Sequence, residues 1–209
     1  MEEKRIPSML LNILFAQVDE MMGRRSLIML LRQAGLSEYI DNFPPMDDTP
    51  SITVDEYSSL LANIYDIFGA RGARPIFLRG GRLGAAELRR QRPAQFAFAG
   101  TALKLLREPK RMELILNKLA EEGEEMYGST YHLHEEDDAF YLEIGDCVYC
   151  TEITRRSQAQ NKPVTKPVCH IPAAIVEEMM EWATGQKHLV EEVACIAQGA
   201  PTCRFRVGK

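Results

Sequence analysis

The chain has 209 residues, of which 45% are hydrophobic and 26% are charged. This composition fits one ordinary globular domain, or one domain with a sizeable extension, and excludes a disordered tail. The net charge is -5, because 30 Asp and Glu residues outnumber 25 Lys and Arg residues. That balance argues against a general nucleic-acid binder.

The apolar stretches are too short for a membrane span. The longest of them, such as Ser8 to Phe15 and Ser26 to Leu31, end well before the roughly 20 apolar residues that a bilayer requires. The amino terminus carries mixed charges and no small-residue cleavage site, so no secretory signal is expected. The sequence therefore predicts a cytoplasmic protein, in which five reduced cysteines would hold a metal rather than form disulfides.

Hydrophobic spacing predicts helices over most of the first 127 residues. Apolar residues recur at three- and four-residue steps from Met9 to Met21, and Gly23 marks the end of this first helix. The next elements are a helix over 26–35, a surface connection over 42–50, a helix capped by Thr53 or Ser51, and a helix over 94–127 that breaks near Glu108 and Pro109.

The sequence period changes after Ser129. Two β-rich runs flank an acidic turn at Glu136 to Asp138, which predicts a hairpin. A helix over 173–183 and two strands around 188–196 and 203–207 complete the chain. This order predicts an α+β fold, in which amino-terminal helices pack on an antiparallel sheet. We treat residues 1–209 as a single domain, with 1–93 as its helical amino-terminal part.

All five cysteines fall between residues 147 and 203. Burial as a small hydrophobic residue accounts for any single cysteine. Cys195 and Cys203 differ, because a Gly-Ala-Pro turn separates them and two strands of a hairpin would bring their sulfurs together. With Glu192 and Cys169, they supply four ligands of the kind that zinc binds in a closed tetrahedral site.

The segment from Cys169 to Val207 resembles the terminal motif of the 4-vinyl reductase domain family. This family includes bacteriochlorophyll-pathway proteins and the sensory domains of phenol- and xylene-responsive transcription activators. The spacing agrees with those sensory domains, with 23 residues from Cys169 to Glu192, three to Cys195 and eight more to Cys203. The resemblance covers residues 95–209 and makes 94–209 the ligand- and zinc-binding part.

The resemblance also implies a fold and an assembly. The fold would be similar to that of the vesicle-tethering TRAPP subunits, in which helices and an antiparallel sheet enclose an apolar pocket. Cys169, Glu192, Cys195 and Cys203 would hold a structural zinc ion, and the chain would form a homodimer through its amino-terminal helices. Tyr149 and Trp182 are candidates for aromatic residues of the pocket, although a place in the plain core is the competing interpretation.

Several other features keep two interpretations. Cys147 and Cys150 form a Cys-x-x-Cys that is a redox pair, half of another metal site or two core residues. Seven arginines between Arg71 and Arg92 either grip an acidic group or form a solvated helix face. His132 and His134 would share an exposed polar face, and His170 would lie near the metal. Gly80, Gly81 and Gly84 lack the Lys-Ser/Thr ending of a phosphate-binding loop and indicate a turn.

The sequence thus predicts a sensor or carrier for an apolar small molecule. That molecule would carry an acidic group if the arginines reach the pocket. No nucleophile–base motif is present, so no catalytic residue is assigned and an enzyme is not favoured. Two alternatives stay open: an enzyme or accessory protein of tetrapyrrole vinyl reduction, and a dimeric scaffold without a ligand.

Overall fold

A computed structural model describes residues 4–209 of the chain. Residues 1–3, at the mixed-charge start of the chain, lie outside the described residues. The helices are α1 (Ser8–Met22), α2 (Arg24–Gln33), α3 (Val54–Gln91), α4 (Pro93–Leu103), α5 (Glu108–Tyr127), α6 (Thr151–Ala159) and α7 (His170–Thr184). The strands are β1 (Arg5–Pro7), β2 (Pro50–Thr53), β3 (Thr130–Glu135), β4 (Ala139–Gly145), β5 (Val190–Ala194) and β6 (Cys203–Gly208).

The fold is α+β, as the element order predicts. Four strands form an antiparallel sheet in the order β3-β4-β6-β5, so the two predicted hairpins become one sheet. Their junction is the pairing of β4 with β6, which places Leu142 opposite Phe205 and Ile144 opposite Cys203. Strands β1 and β2, which the sequence analysis did not predict, pair separately. The junction brings Cys203 next to the end of β4, where Cys147 and Cys150 follow.

Helix α3 departs most from the sequence-based prediction. It begins with a capping box, in which the Thr53 hydroxyl accepts a hydrogen bond from the Glu56 N–H and the Glu56 carboxylate accepts one from the Thr53 N–H. A kink at Gly69, whose φ is 66°, interrupts it without ending it. The turn predicted at Gly80 to Gly84 is wrong, because these glycines lie within α3. A Cβ at Gly81 would lie 2.5 Å from the carbonyl oxygen of Ile171 in α7, so this glycine permits close helix packing.

A shared hydrophobic core joins the helices to the sheet. Its buried side chains extend along the chain from Ile6 to Val207, and its largest members include Phe15 and Phe77 from helices and Phe140 and Phe205 from the sheet. The boundary predicted at residue 93 falls between α3 and α4. No helix in residues 4–209 is long and apolar enough to cross a membrane.

Candidate metal centre and ligand cavity

All five cysteines converge on one buried cluster. The Sγ atom of Cys169 lies 3.6 Å from that of Cys147 and 3.6 Å from that of Cys203. The Sγ atoms of Cys150 and Cys203 lie 3.4 Å apart. No cysteine side chain is more than 1% exposed, and all five are free thiols. These separations are close to the S···S edge of about 3.8 Å in a tetrahedron with Zn–S bonds of about 2.3 Å.

Three stretches of the chain deliver the sulfurs to this cluster. Cys147 and Cys150 lie in the turn between β4 and α6, Cys169 directly precedes α7, and Cys195 and Cys203 flank the connection from β5 to β6. Cys150 and Cys169 occupy the N-cap positions of α6 and α7. The amino-terminal end of a helix carries a positive partial charge, which favours the thiolate form that binds metal.

Glu192 is the single carboxylate in the cluster. Its Oε2 accepts a hydrogen bond of 2.9 Å from the Cys169 N–H, whereas its Oε1 is buried without a hydrogen-bond partner in the described residues. Burial raises the pKa of Glu192 to about 9, and the neighbouring Cys195 acts in the same direction. A buried carboxylate is costly without a compensating charge. A zinc ion would supply that charge and a partner for Oε1, so these residues fit the predicted metal.

The ligand atoms of the cluster form two overlapping groups of four. In each group, all four atoms lie within 4.8 Å of one another. One group is the predicted set of Cys169, Glu192, Cys195 and Cys203, and the other consists of Cys147, Cys150, Cys169 and Cys203. The structure therefore brings the predicted ligands together, and their binding of zinc stays a prediction. The Cys-x-x-Cys spacing was the sequence signal for the second group.

The described histidines lie outside both groups of ligands. His132 and His134 lie on β3, where both are exposed, as the alternation of the strand predicts. His170 follows Cys169, and burial together with the nearby Arg74 lowers its pKa to about 4. The Nδ1 atom of His188 is 2.8 Å from the carbonyl oxygen of Gly208. The centre is therefore built from sulfur and carboxylate ligands within the described part of the chain.

A cavity of about 750 Å³ lies between the sheet and helices α1, α3, α5 and α7. Most of its wall is apolar and includes Leu10, Ile13, Leu14, Leu119, Leu142, Ile144, Ile171, Ile175 and Val176. Its polar wall contains four tyrosines, Tyr57, Tyr127, Tyr131 and Tyr149. The rings of Tyr127 and Tyr149 meet edge to face at 5.4 Å, and burial raises the pKa of Tyr127 to about 12. These hydroxyls therefore stay neutral at physiological pH and offer hydrogen bonds to a bound molecule.

The cavity and the cysteine cluster share parts of their framework. Tyr149 lines the cavity and directly precedes Cys150, while Ile171 lines it two residues after Cys169. Trp182, the other predicted pocket aromatic, packs edge to face against Phe96 at 5.0 Å and is not among the cavity residues. A metal ion in the cluster would therefore hold two segments of the cavity wall.

Most of the arginines between Arg71 and Arg92 are paired within the protein. Carboxylates lie within ion-pair distance of five of the seven, in the pairs Arg79–Glu20, Arg82–Glu177, Arg89–Glu178, Arg90–Glu87 and Arg92–Asp48. Of the seven, Arg92 alone lines the cavity, and its distance to Asp48 is 3.3 Å. These contacts favour a role for most of this segment in fastening α3 to its neighbours.

The carboxy-terminal part of the chain matches a known family. Residues 152–209 match the model of the 4-vinyl reductase domain. The chain carries a 4-vinyl reductase domain. The resemblance that the cysteine spacing indicated is thereby confirmed over this segment, which contains Cys169, Glu192, Cys195 and Cys203. Cys147 and Cys150 precede it, and no curated protein matches the sequence.

Solved structures with the same fold are distant in sequence. One is the phenol-responsive sensory domain of the transcription activator PoxR with phenol, at 16% identity and a TM-score of 0.51, covering 75% of this chain and 74% of that chain. An H-NOX protein from K. algicida, in the Fe(II) unliganded state, has 9% identity and a TM-score of 0.55, with coverage of 98% and 96%. An H-NOX protein from S. oneidensis in the Fe(II)NO state has 12% identity and a TM-score of 0.51, with coverage of 94% and 97%. At these identities the likeness shows the α+β fold alone, and the likeness to TRAPP subunits stays a prediction.

Proposed function

We propose that this chain, with its 4-vinyl reductase domain, is a sensor or carrier that binds an apolar small molecule in the cavity beside its metal centre. The cavity carries the proposal, because about 750 Å³ of space in a folded core is the size of a ligand pocket rather than a packing defect. The matching PoxR domain is described as phenol-responsive and contains phenol, which supports a ligand-binding role for this fold.

The cavity wall suggests the chemistry of the ligand. Its aliphatic side chains would gain by removing an apolar surface from water. The hydroxyls of Tyr127, Tyr131 and Tyr149 could pair with one hydroxyl or carbonyl group of that molecule. Arg92 at the cavity would favour a carboxylate, although its contact with Asp48 competes for the same guanidinium. A largely apolar molecule with one polar group fits this wall best.

The metal has a structural part in this proposal. Zinc on Cys169, Glu192, Cys195 and Cys203 would neutralise buried charge and fix the start of α7 against the β5–β6 connection. Ile171 and Ile175 of the cavity wall lie on that helix. Loss of the ion would therefore loosen the cavity as well as the carboxy-terminal sheet. No catalytic residue is assigned in this function.

The remaining predictions stay part of the proposal. Residues 1–209 would act as one unit, because the amino-terminal helices and the sheet share a core. The five free buried cysteines favour the reducing cytoplasm. A homodimer is supported by apolar side chains that face solvent after α3, where Phe98 is 81% exposed and Leu105 is 87% exposed.

A thermal-shift panel tests ligand binding. Phenols, aromatic acids, fatty acids and protoporphyrin are compared with sugars and nucleotides, because a ligand of the native state raises the transition temperature. The variant Gly84→Trp would fill the cavity from α3, where the glycine is buried and lines the wall. The matched control is Leu83→Trp, one residue away on the same helix, at a partly exposed position outside the wall.

The expected result is a shift with at least one apolar probe in the wild type and in Leu83→Trp, and none in Gly84→Trp. Stabilisation by sugars or nucleotides alone would contradict the proposal. A response to protoporphyrin alone, followed by reduction of its vinyl group with added reductant, would favour the tetrapyrrole enzyme instead. The absence of any response would favour the scaffold.

A further inference from the structure

The cysteine cluster offers more ligands than one tetrahedral ion uses. Cys169 and Cys203 belong to both groups of four ligands, and their Sγ atoms lie 3.6 Å apart. Two further ligands lie on each side of this pair, Cys147 and Cys150 on one side and Glu192 and Cys195 on the other. The six residues thus have the arrangement of two tetrahedra that share an edge.

A single ion leaves two buried ligands unused in either group. If it occupies the group with Glu192, the thiols of Cys147 and Cys150 remain fully buried at 3.6 Å and 3.4 Å from the two shared sulfurs. If it occupies the all-cysteine group, the Oε1 atom of Glu192 remains buried without a partner in the described residues. Buried polar groups without partners are costly. Only two ions would use all six ligands.

We propose that the cluster binds two zinc ions bridged by the thiolates of Cys169 and Cys203. The first ion is the structural zinc of the proposed function, and the second is held by Cys147, Cys150 and the same two bridging sulfurs. The shared edge of 3.6 Å is close to the edge of about 3.8 Å expected for tetrahedral zinc with sulfur ligands. Soft thiolate ligands and tetrahedral geometry both select zinc over harder cations.

The charges of the cluster agree with two divalent ions. Five thiolates and one carboxylate carry -6, and two Zn²⁺ ions carry +4, which leaves -2 on the filled centre. Each thiol loses its proton to solvent as it binds. Helices α6 and α7 both begin at cluster cysteines, and their positive ends stabilise the remaining negative charge. The Ile196 N–H adds a contact of 3.4 Å to the Cys203 sulfur.

Metal counting in matched variants tests this proposal. The full chain is expressed with zinc, dialysed extensively and analysed for zinc per chain by elemental analysis. The wild type should contain two ions. Cys147→Ser should reduce the count to one by removing the second ion, and Cys195→Ser should reduce it to one by removing the first. Cadmium-substituted protein should show two NMR resonances in the wild type, and a different one should disappear in each variant.

The outcomes separate this proposal from the proposed function. One zinc per chain in the wild type would overturn the second ion, and an unchanged count in Cys147→Ser would leave the structural zinc standing. Two ions that both persist in Cys147→Ser would overturn their assignment to these ligands. A folded wild type without zinc would overturn both ions. If a serine variant fails to fold, the wild-type count and the number of cadmium resonances decide the question.

Discussion

The packing of α3 on α7 makes a prediction about two adjacent glycines. A Cβ at Gly81 would lie 2.5 Å from the Ile171 carbonyl oxygen and 2.9 Å from the Ala174 Cβ. A Cβ at Gly80 would meet only the Leu14 Cδ1, at 3.9 Å, which is ordinary van der Waals contact. Gly81→Ala must therefore push the two helices apart, whereas Gly80→Ala fits the existing space.

The size of the effect follows from these distances. Carbon atoms pack best at about 3.5–4.0 Å, so Gly81→Ala requires α7 to move by about 0.6–1 Å. Overpacking of this kind costs about 1–3 kcal/mol. Both substitutions gain about 1 kcal/mol of helix propensity, which cancels when the two variants are compared. The Gly81→Ala protein should therefore be less stable than the Gly80→Ala protein by about 1–3 kcal/mol.

Urea unfolding at fixed zinc concentration measures this difference, with the slope m as a check that the unfolded state is unchanged. A difference of about 2 kcal/mol should also lower the transition temperature by about 4–8 °C in a chain of this size. Gly80→Ala should be at least as stable as the wild type. Equal stability of the two alanine variants would refute the close approach of α3 and α7, and with it the wall of the cavity.

Three further predictions address the metal, the acid response and the assembly. Removal of zinc by a chelator should lower the unfolding free energy by about 4 kcal/mol if zinc is present at about 1,000 times its dissociation constant; unchanged calorimetric melting would contradict a structural ion. Arg155 and Arg156 lower the pKa of Glu152 to about 2, so Glu152→Gln should cost about 0.5–1 kcal/mol at pH 7. Because the folded-state pKa is depressed, this deficit should shrink as the pH falls below about 4.5, and a deficit that is constant to pH 3 in urea unfolding would be inconsistent with it. Phe98→Asp should shift light scattering towards a monomer mass, and a wild type that is already monomeric at micromolar concentration would exclude the dimer.

Sequence patterns predicted the elements that have strong local signals. The first helix ends at Gly23, Thr53 caps α3, and the acidic turn joins β3 to β4. Helix α6 was missed because only Ile153 of it is buried, so no apolar period marks it. Strands β1 and β2 were missed because they are short and pair over a long separation, with Arg5 opposite Thr53.

The metal centre was partly predictable and the cavity was not. The spacing of Cys169, Glu192, Cys195 and Cys203 identified residues that the structure brings together. The arrival of Cys147 and Cys150 depends on the pairing of β4 with β6, a long-range contact that one sequence does not reveal. Cavity residues such as Ile175 belong to the same residue types as the packed core, so only three-dimensional packing distinguishes them. The glycines of α3 were misread because their low helix propensity outweighed a packing role that only the structure reveals.

Native mass spectrometry with an apolar probe mixture tests the central claim most directly. The wild type is incubated with phenols, aromatic acids and fatty acids and then measured with and without denaturation. The account predicts one probe molecule per chain that is retained in the native spectrum, released on denaturation and absent from the Gly84→Trp spectrum. A wild type that takes up no probe, or takes up the same probe to the same extent as Gly84→Trp, would contradict the claim that this cavity binds an apolar small molecule.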